Sequence, residues 1–383
     1  MRIIIHLAII SMLTVSACNN RATVSELIVP RILTQVRQHN FHPLGQNKEM
    51  THDRDFETPG IADLDNDDWR IRLVAVSDLV RAGIESDHDI ITGLSDSVEH
   101  VRQVCAMALG ILKSKNAIAG LEEMVRGDEN AVVRSQAVIA LGQCESQGSL
   151  ELLNDKLTGD PSRDVRHQCE LAIDQIEKQM GTTENQINAF LSLDTSLFES
   201  VSEGGPAADF VLEDTEGKEW RLSEFKDSKW VVLIWVFADW CPVCHGEFHD
   251  LMKLQDEFSK EEVQVFTIEC HDRYRARVMV GKELEPAYWF AQESFKEAYT
   301  EQIRWPHLLD PAGKIGAMYG ADPLAFAVHS EYINRPTTVI IDTTGIVQFL
   351  YQGTYWGDRP TIEQTIDMIR NRDFEFEHPK RLK

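Results

Sequence analysis

Two hydrophobic rhythms divide this chain. From about residue 61 to 180, small and apolar residues recur at helical spacing, and the pattern repeats. Ile71-Arg72, Val101-Arg102, Val133-Arg134 and Val165-Arg166 open similar segments, 30, 32 and 32 residues apart. Val101-Arg102-Gln103-Val104-Cys105-Ala106-Met107-Ala108-Leu109-Gly110 is nearly the same string as Val133-Arg134-Ser135-Gln136-Ala137-Val138-Ile139-Ala140-Leu141-Gly142. A second apolar helix is predicted after three of them, at Ile90, Ile91 and Leu94, at Ile118, Leu121 and Met124, and at Leu150, Leu153 and Leu157. Paired helices at this period predict an α-solenoid, and four copies exceed the roughly three needed to bury a continuous core.

Ala75, Cys105, Ala137 and Cys169 share one repeat position. That slot wants a small buried side chain, and a free cysteine behaves as a small hydrophobe. The recurrent arginines are expected to pair with carboxylates in the preceding turn. Asp63-Leu64-Asp65-Asn66-Asp67-Asp68 starts like a calcium loop, but Asp68 stands where glycine is needed and Val74 where a bidentate glutamate is needed. It reads instead as the polar cap of the first repeat helix.

Beyond residue 204 the rhythm changes. Residues 209–212 and 219–222 flank Asp214-Thr215-Glu216-Gly217, a hairpin signal. Val231-Val232-Leu233-Ile234-Trp235-Val236-Phe237 reads as a buried strand, followed by an amphipathic helix to about residue 258. Residues 263–268 predict another buried strand and 305–309 a short extended segment. Residues 338–341 and 347–351 flank Asp342-Thr343-Thr344-Gly345, a second hairpin, and residues 361–370 a last helix. Residues 271–303 form a long, mostly helical insertion opening with Arg273, Arg275 and Arg277. The chain is therefore expected to be multidomain, an all-α solenoid followed by an α/β domain. The expected divisions are a processing signal (1–17), a tether with a short helix over 26–37 (18–60), the repeats (61–180), a polar linker with one short apolar helix (181–203), the α/β domain (204–375) and a polar tail (376–383).

The chemistry concentrates in Cys241-Pro242-Val243-Cys244, where the apolar strand gives way to a helix. A strand, a short turn and a CxxC at a helix start is the layout of a thioredoxin-like redox site. Free N–H groups and the helix macrodipole favour a thiolate there, so Cys241 is expected to be the nucleophile and Cys244 to resolve. Pro242 sits where a missing N–H costs nothing. A zinc half-site is the bland alternative, but no second CxxC or CxxH has suitable spacing. Cys144 and Cys270 stand outside any motif, and Cys270 reads as a buried core thiol or a third redox cysteine.

Over the whole α/β domain the chain resembles the redoxin family, which includes TlpA/ResA-like thiol-disulfide oxidoreductases and the AhpC/TSA peroxiredoxins. The strings that carry this are Phe210-Val211-Leu212-Glu213-Asp214-Thr215-Glu216-Gly217-Lys218, Ala238-Asp239-Trp240-Cys241-Pro242-Val243-Cys244 and Arg335-Pro336-Thr337-Thr338-Val339-Ile340-Ile341-Asp342. The resemblance implies a thioredoxin-like fold with an added N-terminal hairpin. It implies that Pro336 is the family's cis-proline facing the two sulfurs, with Arg335 close enough to lower a thiol pKa. It also implies that Glu247, one helical turn after Cys244, handles a proton near the sulfurs, as in ResA-like proteins. Thioredoxins carry a buried aspartate six residues before the first cysteine, and here that place is Trp235. The repeats likewise resemble short HEAT repeats of the bilin-lyase type, which implies a protein-docking module.

Two enzymatic readings follow. In thiol-disulfide exchange, Cys241 attacks and Cys244 resolves, with a protein disulfide as substrate and a thiol electron donor. In a peroxiredoxin-like peroxidase, Cys244 is peroxidatic, but Phe237 and Cys241 then stand where that family's loop carries proline and threonine. A Cu(I) chaperone would use His245 and His249 with the two cysteines, although those histidines read as surface residues and copper chaperones of the Sco type carry CxxxC with a distant histidine, for which His329 is the candidate. A non-catalytic protein-binding lipoprotein is the remaining alternative. No cofactor and no resident metal are expected.

Met1-Arg2 and an apolar stretch over residues 3–15 lead into Val15-Ser16-Ala17-Cys18, which resembles a bacterial lipobox. Cleavage before Cys18 and lipid on its sulfur are expected, giving a membrane attachment through lipid alone. That places the protein in the bacterial cell envelope, on the periplasmic side and leaning to the outer membrane because Asn19 is not the aspartate of an inner-membrane retention signal. A formal charge of −24 over 383 residues argues against nucleic acid or anionic lipid as partners.

Overall fold

The computed structural model describes residues 63, 66, 68–182, 184–239, 241–283, 303–321, 334–353 and 358–376. The expected signal peptide, Cys18, the helix expected over 26–37, His329 and most of the expected insertion lie outside them. Among the described residues no helix is long and apolar enough to cross a membrane.

The repeats form a succession of paired helices: α1 (Trp69–Glu85) with α2 (His88–Gly93), α3 (Glu99–Ile111) with α4 (Ile118–Gly127), α5 (Ala131–Gln143) with α6 (Leu150–Gly159), and α7 (Arg163–Lys178). Asp68 caps α1 by accepting from Arg70 N at 3.0 Å, the role expected of the acidic string. Ala75, Cys105, Ala137 and Cys169 are all fully buried. Burial pushes the Cys105 and Cys169 thiols up to about 12, so they are packing groups and not nucleophiles.

The recurrent arginines are structural, but their partners differ from those expected. In the preceding turn they meet backbone, not carboxylate: Arg102, Arg134 and Arg166 donate to the carbonyls of Asp96, Asp128 and Asp160 at 2.9, 2.8 and 2.6 Å. The carboxylate comes from ahead. Arg102 forks onto Asp128 at 2.7 and 3.0 Å, and Arg134 onto Asp160 at 3.0 and 2.9 Å. Asp128 and Asp160 end the outer helix of the same repeat, so the planar guanidinium ties the two helices of a pair and also the next turn.

A helix over Glu184–Leu191 (α8) follows within the expected linker. It lies against α1, where the Ser77 hydroxyl donates to Phe190 O at 2.7 Å and Phe190 is fully buried. The α/β domain begins with a hairpin, β1 (Val211–Glu213) and β2 (Glu219–Arg221). Its five-stranded sheet contains β3 (Trp230–Trp235), β4 (Val263–Glu269), β5 (His307–Leu309), β6 (Thr337–Ile341) and β7 (Val347–Gln352), in the order β5-β4-β3-β6-β7. β3, β4 and β5 run parallel, β6 pairs antiparallel with β3, and β7 pairs antiparallel with β6. Helices α9 (Pro242–Lys260), α10 (Arg273–Met279), α11 (Lys314–Met318) and α12 (Ile362–Asn371) connect or cover the strands. This is the thioredoxin-like order expected, with central β3 buried along nearly its whole length.

The two domains share a core. Cys270, Ala312 and Ala317 of the α/β domain belong to the same buried apolar cluster as the solenoid helices. Polar contacts fasten the seam: Tyr274 Oη donates to Asp174 at 2.8 Å and Lys178 Nζ to Glu283 at 2.5 Å, while Arg70 pairs with Glu199 of the connecting segment at 2.7 Å. A cavity of about 40 Å³ lies at this seam, lined by Met107, Gln136, Ile139, Cys270, His271 and Arg275 among others, and by neither CxxC sulfur.

Candidate active site

The site is built where β3 stops. Its register places Trp235 opposite Thr337 of β6, which brings the chain at Pro336 level with the start of the turn leading to Cys241. Cys241 is the N-cap of α9 and Pro242 occupies the first turn, as the sequence predicts. The two cysteines are not joined in a disulfide, and both are fully buried.

The two sulfurs stand in different surroundings. Cys244 Sγ accepts from Phe237 N at 3.3 Å and from Arg359 Nη2 at 3.2 Å, and the Cys241 thiol hydrogen-bonds to it. Burial alone would raise the Cys244 thiol, but the Cys241 hydrogen bond, the Arg359 charge and the Phe237 N–H together hold it well below the ordinary thiol range. Cys241 moves the other way, raised by burial and by the neighbouring Cys244 anion. These surroundings favour the anion on Cys244, the reverse of the split expected from the helix N-terminus. A helix N-terminus favours an anion by a fraction of a charge, whereas a buried guanidinium and an N–H aimed at Cys244 Sγ act at contact distance.

Arg359 is the residue that sequence reasoning missed. It lies between β7 and α12, 115 positions from Cys244, and carries no local motif. It is buried, and its Nη1 meets Trp235 O at 3.3 Å and Glu247 Oε2 at 3.1 Å. Glu247 is thus joined to the sulfurs through one guanidinium. Burial pushes its carboxyl up to about 7, against the pull of Arg359 and with a further rise from the Cys244 thiolate.

Arg335 N–H donates to Ala321 O at 2.6 Å, and a guanidinium that does meet Cys244 Sγ is that of Arg359. The Arg335–Pro336 bond is trans, not cis as the resemblance implied. The extended chain there needs no cis kink: Pro336 O accepts from Gly353 N at 2.7 Å and Thr337 continues directly into β6. Trp235, at the place of the thioredoxin aspartate, is buried and tilts against Tyr319 with ring centroids 5.2 Å apart.

His245 is no surface residue. It is fully buried, its Nε2 donates to Asp239 O, and burial lowers its pKa so that it stays neutral. Among the described residues no group of three or more His, Cys, Asp or Glu side chains is arranged to hold a metal ion. Cys270 is buried at the end of β4 and packs into the solenoid-side cluster, the core role first considered for it.

Residues 204–350 match the model of the AhpC/TSA family, and residues 61–142 and 88–174 match HEAT repeats. The α/β domain is an AhpC/TSA redoxin domain. Its relatives include the thiol-disulfide oxidoreductase ResA of Geobacillus thermodenitrificans, 27% identical over 171 residues, which cover 45% of this chain and 80% of that protein. The chloroplastic peroxiredoxin Q of Gentiana triflora is 25% identical over 178 residues, 46% of this chain and 70% of that protein. Among solved structures, the reduced 2-Cys peroxiredoxin of Plasmodium vivax aligns with 20% identity and a TM-score of 0.35, covering 44% of this chain and 80% of that one. The redoxin domain thus follows an array of HEAT repeats in one chain.

Proposed function

We propose that this protein is a thiol-disulfide oxidoreductase that works through the Cys241/Cys244 dithiol, with Cys244 as the resting thiolate. The observation that carries the reading is the hydrogen bond from Arg359 Nη2 to Cys244 Sγ, inside a site where Cys241 is already in contact. The Cys244 thiolate attacks one sulfur of a substrate disulfide, the S–S bond breaks, and the other sulfur leaves as a thiolate that takes a proton. Cys241 then loses its proton and attacks Cys244 Sγ, closing the Cys241–Cys244 disulfide and releasing the second substrate thiol. Glu247, held at Arg359, is suited to take or return a proton because its carboxyl titrates near neutrality. A thiol donor recharges the pair.

The peroxidase reading gains from the same geometry, because a cation-stabilised Cys244 is also the sulfur that would meet a peroxide. Both routes end in one disulfide, so the first reactant decides between them. We expect reduced protein to consume a model protein disulfide faster than hydrogen peroxide, and Cys244→Ser to abolish this while Cys241→Ser traps a mixed disulfide. Faster reaction with peroxide, lost in Cys244→Ser, would make the protein a thiol peroxidase. A potential near about −270 mV would mark a reductant and one near about −120 mV an oxidant. We further propose that the HEAT repeats dock a protein partner, and that lipid on Cys18 holds the molecule in the bacterial envelope. Metabolic labelling with a radioactive fatty acid, lost in Cys18→Ser, tests the anchor.

A further inference from the structure

The turn that carries the redox cysteines is gripped from the solenoid. Asp239, two residues before Cys241, is buried, and its carboxylate accepts from Arg275 Nη1 at 3.2 Å. Its carbonyl accepts from His245 Nε2 on the other side. Arg275 belongs to α10, which carries none of the groups at the sulfurs, and its second terminal nitrogen, Nη2, donates to Gln168 Oε1 on solenoid helix α7. Seven residues along the same face of α7, Gln175 Nε2 reaches Asp272 Oδ2 at 3.4 Å. Asp272 is the N-cap of α10, accepting from Arg275 N at 3.1 Å through its other oxygen. Two solenoid glutamines therefore hold both the start of α10 and the guanidinium that it presents. A buried guanidinium needs acceptors for several N–H groups in one plane, and here one fork is shared between the redox turn and the solenoid.

We propose that Arg275 and Gln168 are positioning residues for the redox site, so that the HEAT repeats set the reactivity of the Cys241/Cys244 pair in addition to any docking role. The inference rests on the reading of that pair as the redox centre. Asp239 lies two residues after Phe237, whose N–H meets Cys244 Sγ at 3.3 Å. Holding Asp239 holds that N–H on the sulfur. Arg275 also borders the seam cavity, which gives its side chain room to turn away once Gln168 no longer accepts from it. With the turn loosened, the thiolate loses a donor and the dithiol state becomes less favoured.

The test uses the full chain and compares Gln168→Leu, Arg275→Lys and Tyr274→Phe. Gln168→Leu removes a neutral acceptor and leaves both charged partners, Arg275 and Asp239, in the chain, so the protein is expected to fold. Tyr274→Phe removes a seam hydrogen bond to Asp174 that does not touch the turn. Equilibration with glutathione reads the dithiol–disulfide constant, and ultraviolet thiolate absorbance reads Cys244. Gln168→Leu and Arg275→Lys are expected to move the constant about tenfold toward the disulfide, about 30 mV, and to raise the Cys244 titration. Tyr274→Phe is expected to stay within about twofold of the parent. A folded Gln168→Leu protein with an unchanged constant overturns the proposal, as does an equal shift in Tyr274→Phe, which would make the effect one of the seam in general. If the parent reduces no disulfide, the proposed function fails, while the equilibrium constant of the pair still tests the positioning.

Discussion

At the scale of single residues, one guanidinium serves two acids. Arg359 contacts the Cys244 sulfur and the Glu247 carboxylate, and both partners are buried. Arg359→Lys keeps a charge but cannot span both, so we expect the Cys244 titration to rise and disulfide reduction to slow at least about tenfold; an unchanged titration, read by thiolate absorbance, would remove Arg359 from the site. Glu247 titrates near 7 in the folded dithiol state, above the usual carboxylate range, because it is buried. The folded state therefore holds a proton that the unfolded chain has released. Stability from this group is full below about pH 4.5 and is lost as pH rises to about 7. Glu247→Gln, which mimics the neutral acid, is expected to stabilise the protein at pH 8 by about 3 kcal/mol and to erase an inflection near pH 7 in the rate of disulfide reduction. Denaturant melts at two pH values check the first, and a rate profile checks the second. The CxxC and Glu247 were legible in the sequence because strand, turn and helix are contiguous there. Arg359 was not, because proximity across 115 residues is a property of how β7 and α12 close on the sheet.

At the scale of elements, the repeats depend on close approach between successive inner helices. A side-chain carbon on Gly110 would meet Ala140 Cα at 2.9 Å, and backbone cannot yield cheaply. Gly127, by contrast, ends α4 in the open with nothing within 4 Å of such a carbon. Gly110→Ala should therefore destabilise by about 1–3 kcal/mol through overpacking, while Gly127→Ala should stabilise by about 0.5–1 kcal/mol through the unfolded chain. Opposite shifts in melting temperature are the expected result, and two shifts of the same sign would contradict the packing described. The helices and their period were legible, since each inner helix repeats one string. The arginine partners were not: Arg102 and Arg134 meet Asp128 and Asp160, 26 residues ahead, because the superhelix brings the end of the outer helix back over the start of the inner one.

At the scale of the whole molecule, solenoid and redoxin domain share an apolar cluster and a polar seam, so they should unfold together. Cys105 and Cys169 report on the solenoid and Cys244 on the redoxin domain, and all three are buried in the native state. Alkylation of each thiol across a urea series, read by mass spectrometry, should show one common midpoint. Two separated midpoints would mean that the seam is too weak to couple the domains.

The sequence by itself determined the kind of each element, the repeat, the hairpins, the strand that enters the CxxC and the chemistry of its two thiols. These depend on local periodicity and on residues that are neighbours along the chain. Only the tertiary structure brought the Arg359 guanidinium onto Cys244 Sγ and placed Arg275 between Asp239 and the solenoid. Those outcomes depend on which distant side chains share one low-dielectric volume, where a single buried cation outweighs the dipole of a helix end.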